Sequence, residues 1–339
     1  MNSHESLNKI IAGNSLSDDE SYSLMISIMR GEISEILLSS ILTALKIKGE
    51  TENEIYGFAR AMRDSCIKLE IKMPDVFIDT CGTGGDGKNT VNVSTLTALV
   101  LYSMGIIIAK HGNRAVSSLS GSSDILQSLG FDLSHSPSEV VRRFNEDGFA
   151  FLFAPEWHPS MKYAVPVRKA LGFRTVFNLL GPLSNPFSPP FQVIGVFNDS
   201  VMPMVSKAAI KLGMKGVIVC HSEDGQDEFS VFAKTKYIIY KDGEHKEKIY
   251  DPSILGLSNL KHEEMFCSSK ENAVELFKNI LHGEELAASH AVALNTGVAL
   301  YLIGKSDSIE SGYKDALAIL KSGKTAESAN KLINKWLKK

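Results

Sequence analysis

The sequence predicts an α/β protein in two parts, a small all-helical domain and a large domain built on a mainly parallel central sheet flanked by helices. Three observations carry this. Residues 1 to about 72 show helical apolar spacing and no strand pattern; after Pro74 short β-branched runs alternate with helical segments; and the first such run breaks into consecutive glycines. With 339 residues, 44% apolar and 22% charged, the chain can bury one large core, or one large and one small.

In chain order, Ser17 with Glu20 and Thr51 with Glu54 form capping-box pairs ahead of helices carrying Leu24 and Ile28, and Ile55, Phe58 and Met62. Between them Ile33, Ile36, Leu37, Ile41, Leu42 and Leu45 make an apolar face wider than a surface helix needs, which should pack on the rest of the chain or on a second subunit. Strands are expected at Val76 to Asp79, Ile106 to Ala109, Ala150 to Ala154, Val193 to Phe197, Gly216 to Cys220 and Tyr237 to Tyr240. Helices are expected at Leu96 to Ser103, Ser123 to Leu129, Ser138 to Asn145 and Met204 to Leu212. Trp157 to Pro190, with a helix through Met161 to Leu171 and a proline-rich end, reads as an excursion out of the sheet. From about residue 270 the chain is helical again, ending in a basic amphipathic stretch.

The run Asp79-Thr80-Cys81-Gly82-Thr83-Gly84-Gly85-Asp86-Gly87 follows the first strand and precedes a helix, so it presents backbone N–H groups to a phosphate. Gly82, Gly84 and Gly87 match the dinucleotide spacing, but no acid stands about 20 residues on for a ribose. Gly82 to Lys88 match a nucleotide loop, but Asn89 replaces the Ser or Thr that would hold magnesium. Asp86 within the cradle would repel a phosphate unless a cation or a hydroxyl-rich ligand lies between them. The loop therefore suits a phosphorylated sugar with metal.

Lys110-His111-Gly112-Asn113-Arg114 lies just past a strand, where ligand crevices form in parallel sheets. Ser117 to Asp124 offers hydroxyls and N–H groups at a second helix start, or simple N-capping. Asp227 and Glu228 are an acid pair suited to magnesium, with Glu223 and Asp224 as rivals. Arg168 offers a fork to a planar carboxylate, its bland alternative being a surface ion pair with Glu156.

A net charge of -3 gives no reason to expect nucleic acid or an anionic membrane as partner. Four cysteines without C-x-x-C spacing fit a reducing cytoplasm, and Cys81 has no sequence-local base that would make it a nucleophile. Neither an export signal nor a membrane-spanning run is expected.

Four stretches together, DTCGTGGDGKNTVNVST at 79–95, KHGNRAVSSLSGSSD at 110–124, HPSMKYAVPVRKALGFRTVFNLLGPLSNP at 158–186 and the pair Asp227-Glu228, resemble the anthranilate phosphoribosyltransferases over essentially the whole chain. The resemblance implies transfer of phosphoribose from phosphoribosyl pyrophosphate (PRPP) to the amino group of anthranilate, with Mg2+, on a nucleoside phosphorylase/phosphoribosyltransferase-like fold that dimerises through its helical part. It implies a small domain of residues 1–72 joined by the excursion at about 160–185, and a large one of 73–159 and 186–339. By match of motif, Gly82, Gly84, Gly85, Asp86, Thr90, Asn92, Ser94, Thr95, Lys110 and Ser122 would hold PRPP. Gly82, His111, Asn113, His158, Arg168 and Gly181 would line the anthranilate side, and Ser94, Asp227 and Glu228 would ligate metal. No dedicated catalytic acid or base is expected, because an aromatic amine is already neutral near pH 7. Gln226 and Ser222 depart from the family pattern, which expects an aliphatic residue and a glycine. A nucleoside phosphorylase would carry a Lys-His-Ser-Thr-Gly-Gly loop, which is absent, and a nucleic-acid-binding homologue would carry a basic surface and eroded motifs.

Overall fold

The computed structural model describes residues 2–84, 87–114, 119, 121–133 and 135–337. Four helices open the chain: α1 Ser3–Ile11, α2 Asp18–Met29, α3 Glu35–Lys48 and α4 Glu52–Asp64. The capping boxes at Ser17 and Thr51 are both made, and Asn2 with Glu5 adds a third. Glu54 does more than cap. Wholly buried, it accepts from Leu16 N at 2.9 Å and from Lys48 Nζ at 2.9 Å, pinning the α1–α2 link and the end of α3 to α4. Regular helix stops at Asp64 rather than continuing toward residue 72.

Seven strands form one sheet in the order β3-β2-β1-β4-β5-β6-β7: β1 Ile78–Gly82, β2 Ile108–Gly112, β3 Phe149–Phe153, β4 Phe191–Gly195, β5 Gly216–Ser222, β6 Thr235–Lys241 and β7 Glu244–Tyr250. The first five pair in parallel; β6 and β7 run antiparallel. The parallel strands carry apolar runs because helices cover both faces. β7 is an addition to the expected set. Its sequence, EHKEKIY, is exposed over six of seven residues, and charge on an edge strand blocks further pairing while hiding the strand from any apolar pattern. β1 and β2 also run later than expected, so Lys110 and His111 are strand residues rather than members of a loop beyond it.

The remaining helices are α5 Val93–Ser103, α6 Ser122–Ser128, α7 Pro137–Asp147, α8 Ala154–Trp157, α9 Val165–Leu171, α10 Phe177–Leu183, α11 Met202–Lys211, α12 Lys270–Leu281, α13 Ala287–Leu302, α14 Ile309–Lys321 and α15 Lys324–Leu337. The helix expected through 161–171 is divided into a 3₁₀ turn, Pro159–Tyr163, and α9, where Pro166 in the first turn suits a fresh start. One core joins α5 and α12–α15 to one face of the sheet. On the other face, side chains of α1–α4, α9, α10 and α11 share a core with Ile194, Val217 and Val219 of the sheet.

The chain order places the site. From β1 the chain steps outward to β2 and β3, then returns across the sheet to β4 on the opposite side of β1. This reversal opens a crevice at the carboxyl ends of β1 and β4, where open parallel sheets bind ligands.

Candidate active site at the sheet reversal

Gly82 and Gly195 are Cα partners at the ends of β1 and β4, and both lack a side chain for the same reason. A Cβ on Gly82 would approach Asp227 Oδ2 to 2.2 Å, and one on Gly195 would overlap the Asp227 carbonyl. The acid pair thus lies directly over the reversal. Asp227 Oδ2 accepts from Gly84 N at 3.0 Å, and Glu228 Oε1 accepts from Ser94 N, in the first turn of α5, at 3.1 Å. The two carboxylates are therefore already placed against the N–H groups that a phosphate would seek.

The departures at Ser222 and Gln226 fit this loop. Gln226 N and Nε2 and Ser230 Oγ all donate to Asp224, while Ser222 N donates to Gln226 O and Ser222 Oγ to Lys234 O. Asp224 is thus a brace within the loop, whereas Asp227 and Glu228 reach the crevice. Among the described residues no group of three or more His, Cys, Asp or Glu could hold a metal. Two carboxylates beside the Ser94 hydroxyl form a sparse set of hard oxygen donors, the kind that suits Mg2+, which keeps waters and takes further oxygens from substrate phosphates.

Behind the glycine strand lies a buried polar network. Lys110, 1% exposed, donates from Nζ to Thr80 O and to Ser94 Oγ at 3.3 Å. Burial pulls its ammonium below the usual lysine range, with Asp79 opposing. Asp79 is fully buried; its Oδ1 accepts from His111 N at 3.3 Å, and its Oδ2 from Asn185 Nδ2 at 2.9 Å and Gln192 Nε2 at 3.3 Å. Burial pushes this carboxyl up to about 6 despite the Lys110 charge and these donors. Asn185 and Gln192 were missed by reading the sequence. A single polar residue inside the apolar strand FQVIG was the available signal for Gln192.

Asn92 caps α5, accepting from Thr95 N at 3.2 Å and Thr95 Oγ1 at 2.5 Å, so the hydroxyl of the buried Thr95 turns toward the cap. Thr90 forms an antiparallel bridge with Phe266, flanked by bonds from Val91 N to Met265 O and from Cys267 N to Asn89 O. Residues 265–267 therefore strap the stretch between the glycine loop and α5. Ser122, the first residue of α6, donates from Oγ to Asn113 O at 3.2 Å. Gly85, Asp86, Ser117, Ser118 and Ser120 lie outside the described residues.

Across β2, His111 Nδ1 stands 3.3 Å from Gly181 O, and the His111 and His158 rings are 5.3 Å apart. A carbonyl partner obliges Nδ1 to donate, which leaves Nε2 as an acceptor. The Nε2 atoms of both histidines are buried without a partner. Burial lowers His111 to about 3 and His158 to about 4, so both rings are neutral near pH 7. Asn113 Oδ1 accepts from Arg114 N at 2.7 Å. Arg168 makes no ion pair with Glu156 among the described residues; its guanidinium lies 5.3 Å from the centre of the Phe177 ring on α10, the helix that carries Gly181. The structure thus unites His111, His158 and Gly181, while Arg168 packs on Phe177, about one turn before Gly181 on α10.

No helix among the described residues is long and apolar enough to cross a membrane. Residues 74–326 match the family model described as "Glycosyl transferase family, a/b domain", and residues 4–66 match "Glycosyl transferase family, helical bundle domain". Anthranilate phosphoribosyltransferase of Geobacillus sp. (strain WCH70) is 41% identical over 98% of both chains, and that of Thermoanaerobacter sp. (strain X514) is 39% identical over 97% of both. Among solved structures, the Thermus thermophilus enzyme of that name superposes with a TM-score of 0.89 at 37% identity, covering 97% of this chain and 98% of its own. The Saccharomyces cerevisiae enzyme in complex with PRPP and Mg superposes with a TM-score of 0.89 at 28% identity, covering 99% and 98%.

Proposed function

The chain belongs to the anthranilate phosphoribosyltransferase family, and from that premise we propose that it transfers phosphoribose from PRPP to the amino group of anthranilate, giving N-(5-phosphoribosyl)anthranilate and pyrophosphate in tryptophan biosynthesis. The observation that carries this most directly is the acid pair lying over Gly82 and Gly195 with the Gly84 and Ser94 N–H groups beside it. Phosphate donors, a buried lysine and hard oxygen ligands converge there on the end of β1.

The PRPP half of the site comprises Gly82, Gly84, Gly85, Asp86, Thr90, Asn92, Ser94, Thr95, Lys110 and Ser122. Gly84 N, which Asp227 holds at rest, becomes a donor to the diphosphate when that carboxylate turns to the metal, and the Lys110 charge, held in low dielectric beneath Ser94, favours an anion above it. Ser94, Asp227 and Glu228 would hold Mg2+, which when bound offsets diphosphate charge and eases departure of pyrophosphate. The anthranilate half comprises Gly82, His111, Asn113, His158, Arg168 and Gly181. Arg168 supplies a cation for the carboxylate, retained because a guanidinium stays protonated even when partly buried. The neutral His111 and His158 rings offer lone pairs suited to accept N–H from the amine and orient it toward the ribose C1. Orientation suffices without a dedicated base.

The domains follow the same reading: 1–72 with the excursion at about 160–185 against 73–159 with 186–339, acting in the cytoplasm. The test is loss of anthranilate fluorescence on adding PRPP and Mg2+, with a metal-free control. No loss with the intact chain overturns the proposal. The double variant Asp227→Asn/Glu228→Gln should keep its melting temperature and lose at least about 100-fold in turnover, the scale for removing electrostatic stabilisers of a transition state.

A further inference from the structure

Asn295 interrupts an apolar helical run, Ala291-Val292-Ala293-Leu294-Asn295-Thr296-Gly297-Val298, in the middle of α13. It is 5% exposed, and a buried amide in such a place is costly unless each polar atom finds a partner. The partners lie in the acid loop. Phe229 N donates to Asn295 Oδ1 at 3.0 Å, while Asn295 Nδ2 donates to Phe229 O at 2.9 Å and to Ala291 O at 2.9 Å. Two carbonyls on one side and an N–H on the other fix which way the amide faces.

We infer that Asn295 is a positioning residue for the acid pair, clamping Phe229 at both its N–H and its C=O so that Asp227 and Glu228 hold their places over the sheet reversal. The inference rests on the magnesium-dependent reading of that loop. The clamp has a rigid base: a Cβ on Gly297 would meet Ile309 O and Tyr313 N at 2.5 Å, so α13 lies hard against α14 and cannot slide. The far side of the loop is tied at Ser94 N through Glu228, and the Phe229 ring packs 5.2 Å from Tyr237. Between these two anchors the carboxylates have little freedom, which is what partners just behind metal ligands provide. Thr296, the next residue, supplies the contrast. It is buried too, but among the described residues its hydroxyl bonds only to Val292 O in its own helix.

The experiment measures Mn2+ binding in the presence of PRPP by electron paramagnetic resonance, together with the Mg2+ dependence of turnover. Asn295→Ala should weaken Mn2+ binding about tenfold and raise half-saturating Mg2+ in step, with kcat recovering at saturating metal. Asn295→Asp keeps the acceptor for Phe229 N but sets a carboxylate against two carbonyls, and should be at least as weak. Asn295→Ser, whose hydroxyl can reach the Ala291 carbonyl, gives the same readout if the alanine variant does not fold. Thr296→Val should change neither quantity. Unaltered Mn2+ affinity in the Asn295 variants, or a kcat loss equal at every metal concentration, overturns the clamp. A parent chain that binds no Mn2+ with PRPP overturns the site reading itself and the clamp with it.

Discussion

His111 and His158 are neutral by construction, and this has a measurable cost in acid. Their ordinary value is 6.5; in the folded chain burial holds them near 3 and 4. Below pH 6.5 the unfolded chain takes up protons that the native chain refuses, so stability should fall as pH drops from 6.5 toward 4. Asp79 acts with the opposite sign: its folded value near 6 exceeds its ordinary 3.8, so its contribution to stability is lost as pH rises through that window. Urea unfolding of the parent and of His111→Asn at pH 7.5 and 5.0 separates the two, because Asp79 enters both chains. The variant should lose less stability between those pH values; an equal loss would show that His111 protonates as readily in the native state as in the unfolded one. The same burial explains what the sequence hid. Lys-His-Gly-Asn-Arg looks like a loop, yet its first three residues lie in a strand, where Thr80 O, Ser94 Oγ, Asp79 and Gly181 O give the polar groups of Lys110 and His111 internal partners.

At the scale of elements, the site depends on how closely the acid loop lies on β1 and β4. Gly195→Ala would place a methyl group onto the Asp227 backbone, which cannot swing aside as a flexible side chain could. Overpacking of this kind costs about 1–3 kcal/mol. Displacing the loop by as little as ~1 Å should lower kcat/KM about 100-fold. Denaturant midpoints and steady-state rates test both, and a variant with parental kinetics would mean the loop is not held against β4. The parallel strands were legible as β-branched runs because both their faces are covered. β7 was not, since its pairing with β6 comes from the hairpin around Asp242 and Gly243 rather than from apolar alternation. The 265–267 strap was equally hidden: it acts through backbone groups, which no side-chain pattern announces.

For the whole molecule, Arg63 ties the opening helices to the rest of the chain. Nearly buried on α4, it donates from Nε to Leu183 O at 2.7 Å and from Nη1 to Leu212 O at 3.4 Å, meeting the carboxyl ends of α10 and α11. Burial lowers its guanidinium to about 10. Arg63→Met fills the same space but strands both carbonyls, for an expected loss of about 1–3 kcal/mol in urea unfolding. Outward from this junction, Ile36 and Ile47 are 83% and 82% exposed and stand three turns apart on one side of α3. If the helical part carries the dimer that the family resemblance implies, Ile36→Lys with Ile47→Lys should convert it to a monomer by light scattering; a parent that is already monomeric would remove that role for α3. The two-part architecture was legible in the switch from helical spacing to alternating strands and helices. The Asp79 network was not, because Asn185 and Gln192 lie more than 100 residues from Asp79 along the chain and meet it only once the sheet is assembled.

The bond from Gly84 N to Asp227 means that, at rest, a carboxylate already occupies a donor that a phosphate would seek. An anion arriving alone must evict a carboxylate from that donor. A diphosphate that brings its own cation gives the same carboxylate a new partner. A free anion therefore meets the Asp227 charge at the donor it would use, whereas a diphosphate carrying a cation meets a carboxylate that can take the cation.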